Sequence, residues 1–319
     1  MNNYFLQVLR PGINTTFQDK GRFHMQHLGV TPGGCMDLSL FSVANSLVGN
    51  FLDEGVLEFA YQGPLMKLIK GKTKVAVTGS VHFKIIKSNK KIIDGESNRT
   101  YFLDEGDQID LLATKNSAYG YMALKGGFNI KPFCNSISVL ARAKIGPNEG
   151  KKLKVDDIIN FKINSKDKKI FTTKITNNIS NKIRVLKGPQ FDYFSKKSQK
   201  DFFSKEYKIS NLTDRMGMRL EGVNIKNIVN TNIRSEGITK GAIQVPADGQ
   251  PIILLTDYPT IGGYPKIANV ASADYNLLIQ KTPGEKIFFE LIKLHEAEQL
   301  YKEHLNNISN IIKNIKEIN

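Results

Sequence analysis

The segment Asp257-Tyr-Pro-Thr-Ile-Gly-Gly-Tyr-Pro-Lys-Ile-Ala268 carries more chemistry than a turn requires. Within ten positions it sets a carboxylate (Asp257), a hydroxyl (Thr260), a phenol (Tyr264) and an ammonium (Lys266) around the adjacent glycines Gly262 and Gly263. A carboxylate can accept a proton, a phenol can donate to a developing oxyanion, and a lysine can clamp negative charge. Paired glycines let backbone N–H groups approach a ligand, and their freedom at positive φ permits an anion-binding nest. The same composition also suits a tight turn with incidental polar neighbours. Asp257, Tyr264 and Lys266 are the catalytic candidates here. Thr260, Gly262 and Gly263, with Gln244 on the preceding Gly241-Ala-Ile-Gln-Val245, are the candidates for holding substrate.

A second dense stretch lies near the N-terminus, in Pro11-Gly-Ile-Asn-Thr-Thr-Phe-Gln-Asp-Lys-Gly-Arg22 and His27-Leu-Gly-Val-Thr-Pro-Gly-Gly-Cys-Met-Asp37. Gln18, Asp19 and Arg22 combine an amide, a carboxylate and a guanidinium fork, a set able to hold a small amide-bearing acid. Asp19 and Arg22 would equally well pin the turn. His27 stands among glycine and proline on an expected loop, where an imidazole suits proton transfer near neutral pH or a structural contact. Asp37 comes where a Gly-rich run gives way to a helical pattern, so it is expected to cap a helix. Further along, Asp214-Arg-Met-Gly-Met-Arg-Leu-Glu-Gly222 supplies Asp214 and Arg215, either a buried structural pair or part of a substrate site. Arginine is scarce, 8 against 37 lysines, so each Arg within a motif hints at a need for planar bidentate geometry.

The elements that must position these groups read as β-structure. Turns with an acidic residue precede β-rich runs at Asp104-Glu-Gly-Asp, Leu153-Lys-Val-Asp-Asp and Thr282-Pro-Gly-Glu. Short strands are expected at 75–77, 119–124, 183–186, 209–212, 242–245 and 251–255. The alternating long helices of a parallel α/β fold are mostly missing. Helical patterning appears at 37–48, at 190–203 and in the tail, where apolar residues recur from Leu294 to Ile315. A chain of 319 residues exceeds the usual single core. The expected division is a β-rich lobe over 1–165, a polar linker over 166–182, and a second lobe with a terminal helix over 183–319.

Composition narrows the function classes. Hydrophobic content of 40% with 24% charged residues is that of a globular protein. The formal charge of +15 comes mostly from dispersed lysines without basic stripes or aromatic interleaving, which argues against nucleic-acid binding. No apolar run reaches the ~20 residues of a membrane helix, and the first residues do not read as a signal peptide. The two cysteines, Cys35 and Cys134, fit no zinc spacing, so no metal site is expected. A cytoplasmic, reduced setting is the expectation. Gly-x-Ser-x-Gly and His-Glu-x-x-His motifs are missing, and Gly71-Lys-Thr73 lacks the leading glycine of a phosphate loop. Lys125 lacks the flanking methionines of a biotin carrier.

Taken in order, the Pro11–Arg22 and His27–Asp37 motifs, Ala44-Asn-Ser-Leu-Val-Gly-Asn50, Gln62-Gly-Pro64, Asp214–Gly222 and the Gly-Gly-Tyr-Pro loop resemble the biotin-dependent carboxyltransferase family, also called allophanate hydrolase subunit 2. The resemblance spans about Pro11 to Phe289. It implies a mainly β protein of two barrel-like lobes, the C-terminal one cyclophilin-like. It further implies a hydrolase role as the C subunit of an ATP-dependent 5-oxoprolinase, opening a lactam ring. The partners would be two other proteins, one a shorter carboxyltransferase-like homologue and the other amidohydrolase-like. ATP would be shared across that complex, and biotin would arrive only on another chain. The same resemblance admits carboxyl transfer to urea or a similar amide, or a non-enzymatic regulator that binds a homologous inhibitor protein. Two departures stand out. Tyr258 follows Asp257 where many relatives carry Asp-Arg, and Gly33-Gly-Cys-Met-Asp37 lacks the serine of the usual Ser-Gly-Ala-Met-Asp.

Overall fold

A computed structural model describes residues 4–176, 180–229 and 232–318. The chain forms two compact units: one comprises Met1–Arg22, Gly33–Thr176 and Asn307–Asn319, the other Phe23–Pro32 and Asn177–Asn306. The ten residues Phe23–Pro32 thus fall with the second unit, and the chain's end falls with the first. The mainly β reading holds, with few helices, a closed barrel and a C-terminal helix.

The first unit holds two antiparallel sheets. One runs Ile158–Phe161, Tyr4–Arg10, Leu65–Lys70, Gln108–Thr114, Val81–Ile86, Ile92–Gly95 from edge to edge. The other runs Asn14–Gln18, Val56–Ala60, Tyr119–Leu124, Thr73–Thr78, Arg99–Leu103, Ile170–Thr172, Lys316–Ile318. Apolar residues two apart share a strand face. Leu6 and Val8, Met66 and Leu68, Phe83 and Ile85, and Ile109 and Leu111 from the first sheet therefore meet Leu57 and Phe59, Val75 and Val77, and Met122 and Leu124 from the second in one core. Helix Leu38–Leu47 starts as expected: the Asp37 carboxylate accepts the Ser39 and Leu40 N–H groups at 3.0 and 3.1 Å.

The three acidic turns share one construction. The Asp104, Lys154 and Thr282 N–H groups donate to the side chains of Asp107, Asp157 and Glu285, each three residues on, at 2.8, 2.9 and 2.8 Å. A backbone bond closes each turn in the opposite direction. The chain leaves each turn at or next to the start of a strand, at Gln108, Ile158 and Lys286.

The second unit is a closed barrel in the order Lys182–Lys187, Lys266–Val270, Ala242–Gln244, Ile252–Leu254, Gly217–Gly222, Tyr207–Thr213, Lys286–Leu291. All its pairings are antiparallel except that of Lys182–Lys187 with Lys286–Leu291. Two helical expectations need correction. The 190–203 pattern divides into a 3-10 turn, Phe191–Tyr193, and helix Lys196–Ser204, because Phe194 is extended and the Ser195 hydroxyl caps a new start. The tail helix, Leu294–Lys313, stops short of Ile315. Lys316–Ile318 instead pairs with Ile170–Thr172, so part of the expected linker is a strand that offered a free edge. Residues 177–179 of that linker lie outside the described residues. No helix among the described residues is long and apolar enough to cross a membrane.

Candidate functional site

Barrel strands Ala242–Gln244 and Lys266–Val270 are antiparallel neighbours, and their register sets Gln244 opposite Lys266. The ladder shifts register between Ile243 and Gln244. A two-residue ribbon, Glu236–Gly237 with Ile261–Gly262, pairs Glu236 with Gly262. A Cβ on Gly262 would stand 2.6 Å from Gln244 Nε2, which puts the amide close to the ribbon that carries Glu236. The Lys266 ammonium is almost fully buried, and its ion-pair partner is the Glu236 carboxylate. Gln190 completes a ring. Its Nε2 donates to Glu236 at 2.8 Å, its Oε1 accepts the Lys266 N–H at 3.2 Å, and its own N–H reaches the Lys266 carbonyl at 3.3 Å. Hydrogen bonds from Lys266 and then Gln190 hold the Glu236 carboxyl below the ordinary carboxylate range. Gln244 is 5% exposed, and its Nε2 has no partner among the described residues.

Neither Gly262 nor Gly263 lies at positive φ, so the nest expected from the sequence is not formed. The ribbon pairing keeps Gly262 in an extended strand. Glycine at 262 leaves room for two side-chain ends: a Cβ there would stand 2.6 Å from Gln244 Nε2 and 3.1 Å from Ile238 Cδ1. At 263 the nearest atoms would be 3.3 and 3.4 Å away, from the Ile233 carbonyl and the Ser235 hydroxyl. Gly262→Ala is therefore expected to displace the Gln244 amide with little loss of stability and to weaken ligand binding about tenfold. Gly263→Ala should change little. Binding isotherms of the two variants check this, and greater damage from the 263 change contradicts it.

Asp257 does not stand free to act as a base. Arg215 engages both of its oxygens, Nε to Oδ2 at 2.8 Å and Nη2 to Oδ1 at 2.9 Å, and both side chains are buried. The Asp257 N–H also donates to the Arg215 carbonyl. The structural pair is thus Arg215 with Asp257, not with its sequence neighbour. Asp214 is exposed and accepts the Met216 and Gly217 N–H groups, which shapes the turn before Gly217–Gly222. Tyr258 is buried with Ile238, Ala242 and Leu254, and its hydroxyl accepts from Gln26 Nε2 at 3.0 Å. His27 is exposed on the adjoining 3-10 turn Gln26–Leu28. Tyr264 is 40% exposed, and Thr260 is half-buried with its carbonyl accepting the Ile238 N–H.

In the first unit, Gln18, Asp19 and Arg22 converge on residues 136–139. The Asp19 carboxylate accepts from the Ser136 hydroxyl, the Ile137 N–H, the Ser138 hydroxyl and the Gly21 N–H, at 2.5–2.7 Å. Arg22 is fully buried and donates to the Ser138 carbonyl. Gln18 Nε2 donates to Thr16 Oγ1 and the Val139 carbonyl, while its Oε1 has no partner among the described residues. The Gly33–Asp37 motif lies against this turn: the Cys35 N–H donates to the Asp19 carbonyl at 2.8 Å, and a Cβ on Gly34 would meet the Lys20 carbonyl oxygen at 2.7 Å.

Sequence reasoning misses Gln190 and Glu236. The turn signal Gly188-Pro189 stands just before Gln190, but the helical pattern over 190–203 masks it. Glu236 is an isolated acid with no local signal, brought to Lys266 only by the ribbon. Residues 71–73 do not fit a nucleotide phosphate. The Gly71 and Lys72 N–H groups donate to Glu105 and Asn164, and Lys72 pairs with Asp104. No group of three or more metal-ligating side chains occurs among the described residues.

The family model described as carboxyltransferase domain, subdomain A and B, matches residues 28–291. The chain is 30% identical to the 5-oxoprolinase C subunit of Escherichia coli over 309 residues, covering 94% of this chain and 97% of that one. It is also 30% identical to the 5-oxoprolinase C subunit of Haemophilus influenzae, covering 96% and 98%. The crystal structure of Kluyveromyces lactis urea carboxylase superposes with a TM-score of 0.87 at 27% identity, over 98% of this chain but only 29% of the larger protein.

Proposed function

Since this chain belongs to the carboxyltransferase domain family, subdomains A and B, we propose that it works as the C subunit of a 5-oxoprolinase, opening the lactam of 5-oxoproline as part of a multi-subunit enzyme. The observation that carries the reading is the pairing of a buried ammonium, Lys266, with an unpartnered amide donor, Gln244, across one strand pair. That pair matches a small molecule bearing both a carboxylate and an amide oxygen. The likeness to two 5-oxoprolinase C subunits over nearly their whole length points the same way.

In this reading Lys266 and Gln244 bind and orient the substrate, with Gln190 holding the Lys266 backbone in place through two hydrogen bonds. A lactam carbonyl resists water, and the nucleotide supplies its activation. Residues 71–73 do not suit a phosphate, so that step is assigned to the partner subunits. The test is reconstitution with the carboxyltransferase-like and amidohydrolase-like partners, followed by ATP-dependent formation of glutamate from 5-oxoproline. Lys266→Met should lower kcat/KM at least about a hundredfold. No glutamate from a correctly assembled complex refutes the reading. A second reading, carboxyl transfer to urea, is favoured by the superposition on urea carboxylase. It requires biotin carried by another chain, and carboxylation of urea with such a partner would replace the first.

A further inference from the structure

The ion pair between Lys266 and Glu236 is lopsided. The lysine side chain is 6% exposed and its counter-charge 43% exposed. The cation sits on a barrel strand, flanked by Ile267 and Ala268, which are fully buried. The anion sits on a two-residue ribbon strand at the surface. Exposure alone does not single the pair out, since buried Lys74 likewise meets an exposed Asp167, but it leaves the Glu236 carboxylate able to move into water. Beside the pair is the Gln244 amide, whose Nε2 has no partner among the described residues although the residue is only 5% exposed. A buried donor left unmet is costly. Gly262, opposite Glu236 in the ribbon, leaves the space in front of that donor which a Cβ would take.

We propose that Glu236 is a placeholder: a small ligand carboxylate takes its position on Lys266 while a second ligand oxygen accepts from Gln244 Nε2, and Glu236 swings into solvent. The exchange conserves charge at Lys266, because one carboxylate leaves as another arrives. It also satisfies the donor that the resting site leaves open. Gln190 keeps the Lys266 backbone in place through two hydrogen bonds that do not involve Glu236. The inference rests on the reading of this site as the one that takes 5-oxoproline, and it names the group the substrate displaces.

The two ideas can fail separately. Calorimetric titration of the full chain with 5-oxoproline, and with its neutral carboxamide, measures the exchange without any turnover. Glu236→Gln removes the competing charge and should tighten binding of the acid about tenfold, leaving the carboxamide unchanged. Lys266→Met should abolish binding of the acid, and Lys266→Arg, which keeps the cation, should retain part of it. Weaker or unchanged binding of the acid by Glu236→Gln overturns the proposal, as does failure of the acid to bind both the natural chain and that variant. If the acid binds with the expected pattern but the assembled complex forms no glutamate, the placeholder stands and the 5-oxoprolinase reading falls.

Discussion

Replacing Asp257 with Ala should cost the barrel about 2–4 kcal/mol, because it removes the carboxylate that takes two charge-assisted hydrogen bonds from an Arg215 guanidinium that is 9% exposed. The carboxylate meets Arg215 through two parallel hydrogen bonds, and it also sits at the start of the loop that leads to Gly262. Urea denaturation followed by a probe in the barrel reads the effect directly. The single and double variants Asp257→Leu, Arg215→Met and both together form a cycle whose coupling energy isolates the part of the loss that belongs to this pair. The result that would sink this account is an Asp257→Asn protein of normal stability that binds substrate but does not turn it over. Such a protein would return Asp257 to the chemical role expected from sequence.

Asp19→Ala should be comparably damaging in the first unit. One carboxylate satisfies two hydroxyls and two backbone N–H groups, and three of these donors belong to the single run Ser136–Ser138. Buried donors left unmet cost about 1–3 kcal/mol each before relaxation. With some of them recovering water, a net loss of about 3–5 kcal/mol is expected for the unit. Asp19→Asn keeps the acceptor on one side only and should fall between. Hydrogen exchange at Ile137 is the specific readout, because its N–H donates to Asp19 at 2.7 Å. If exchange at Ile137 is unchanged while ligand binding is lost, Asp19 serves a ligand and not the fold.

The sequence was most legible where the cause is local. The acidic turns at Asp104, Lys154 and Thr282 could be read because a carboxylate three residues on closes the turn with its own side chain. Asp37 could be read as a cap because the capped N–H groups are two and three residues away. Motif order alone carried the family, since six motifs in a fixed sequence need no geometry to be compared. The tail departs from its helical pattern beyond Lys313 because helical spacing says nothing about a distant open strand edge. Lys316–Ile318 took the edge of Ile170–Thr172, which lies near the middle of the chain.

The candidate site shows the same division. Residue types told that Lys266, Gln244, Asp257 and the glycines carry potential chemistry, because charge, hydrogen-bonding capacity and the lack of a Cβ belong to the residue itself. Their partners belong to the tertiary structure. Barrel register put Gln244 opposite Lys266, the ribbon brought Glu236 to the ammonium, and Arg215 took both oxygens of Asp257 from 42 positions away. Whether a carboxylate is a base, an anchor or a placeholder depends on what lies within about 3 Å of it and on how much water remains there. Neither quantity is a function of neighbours along the chain; both were decided when the barrel closed.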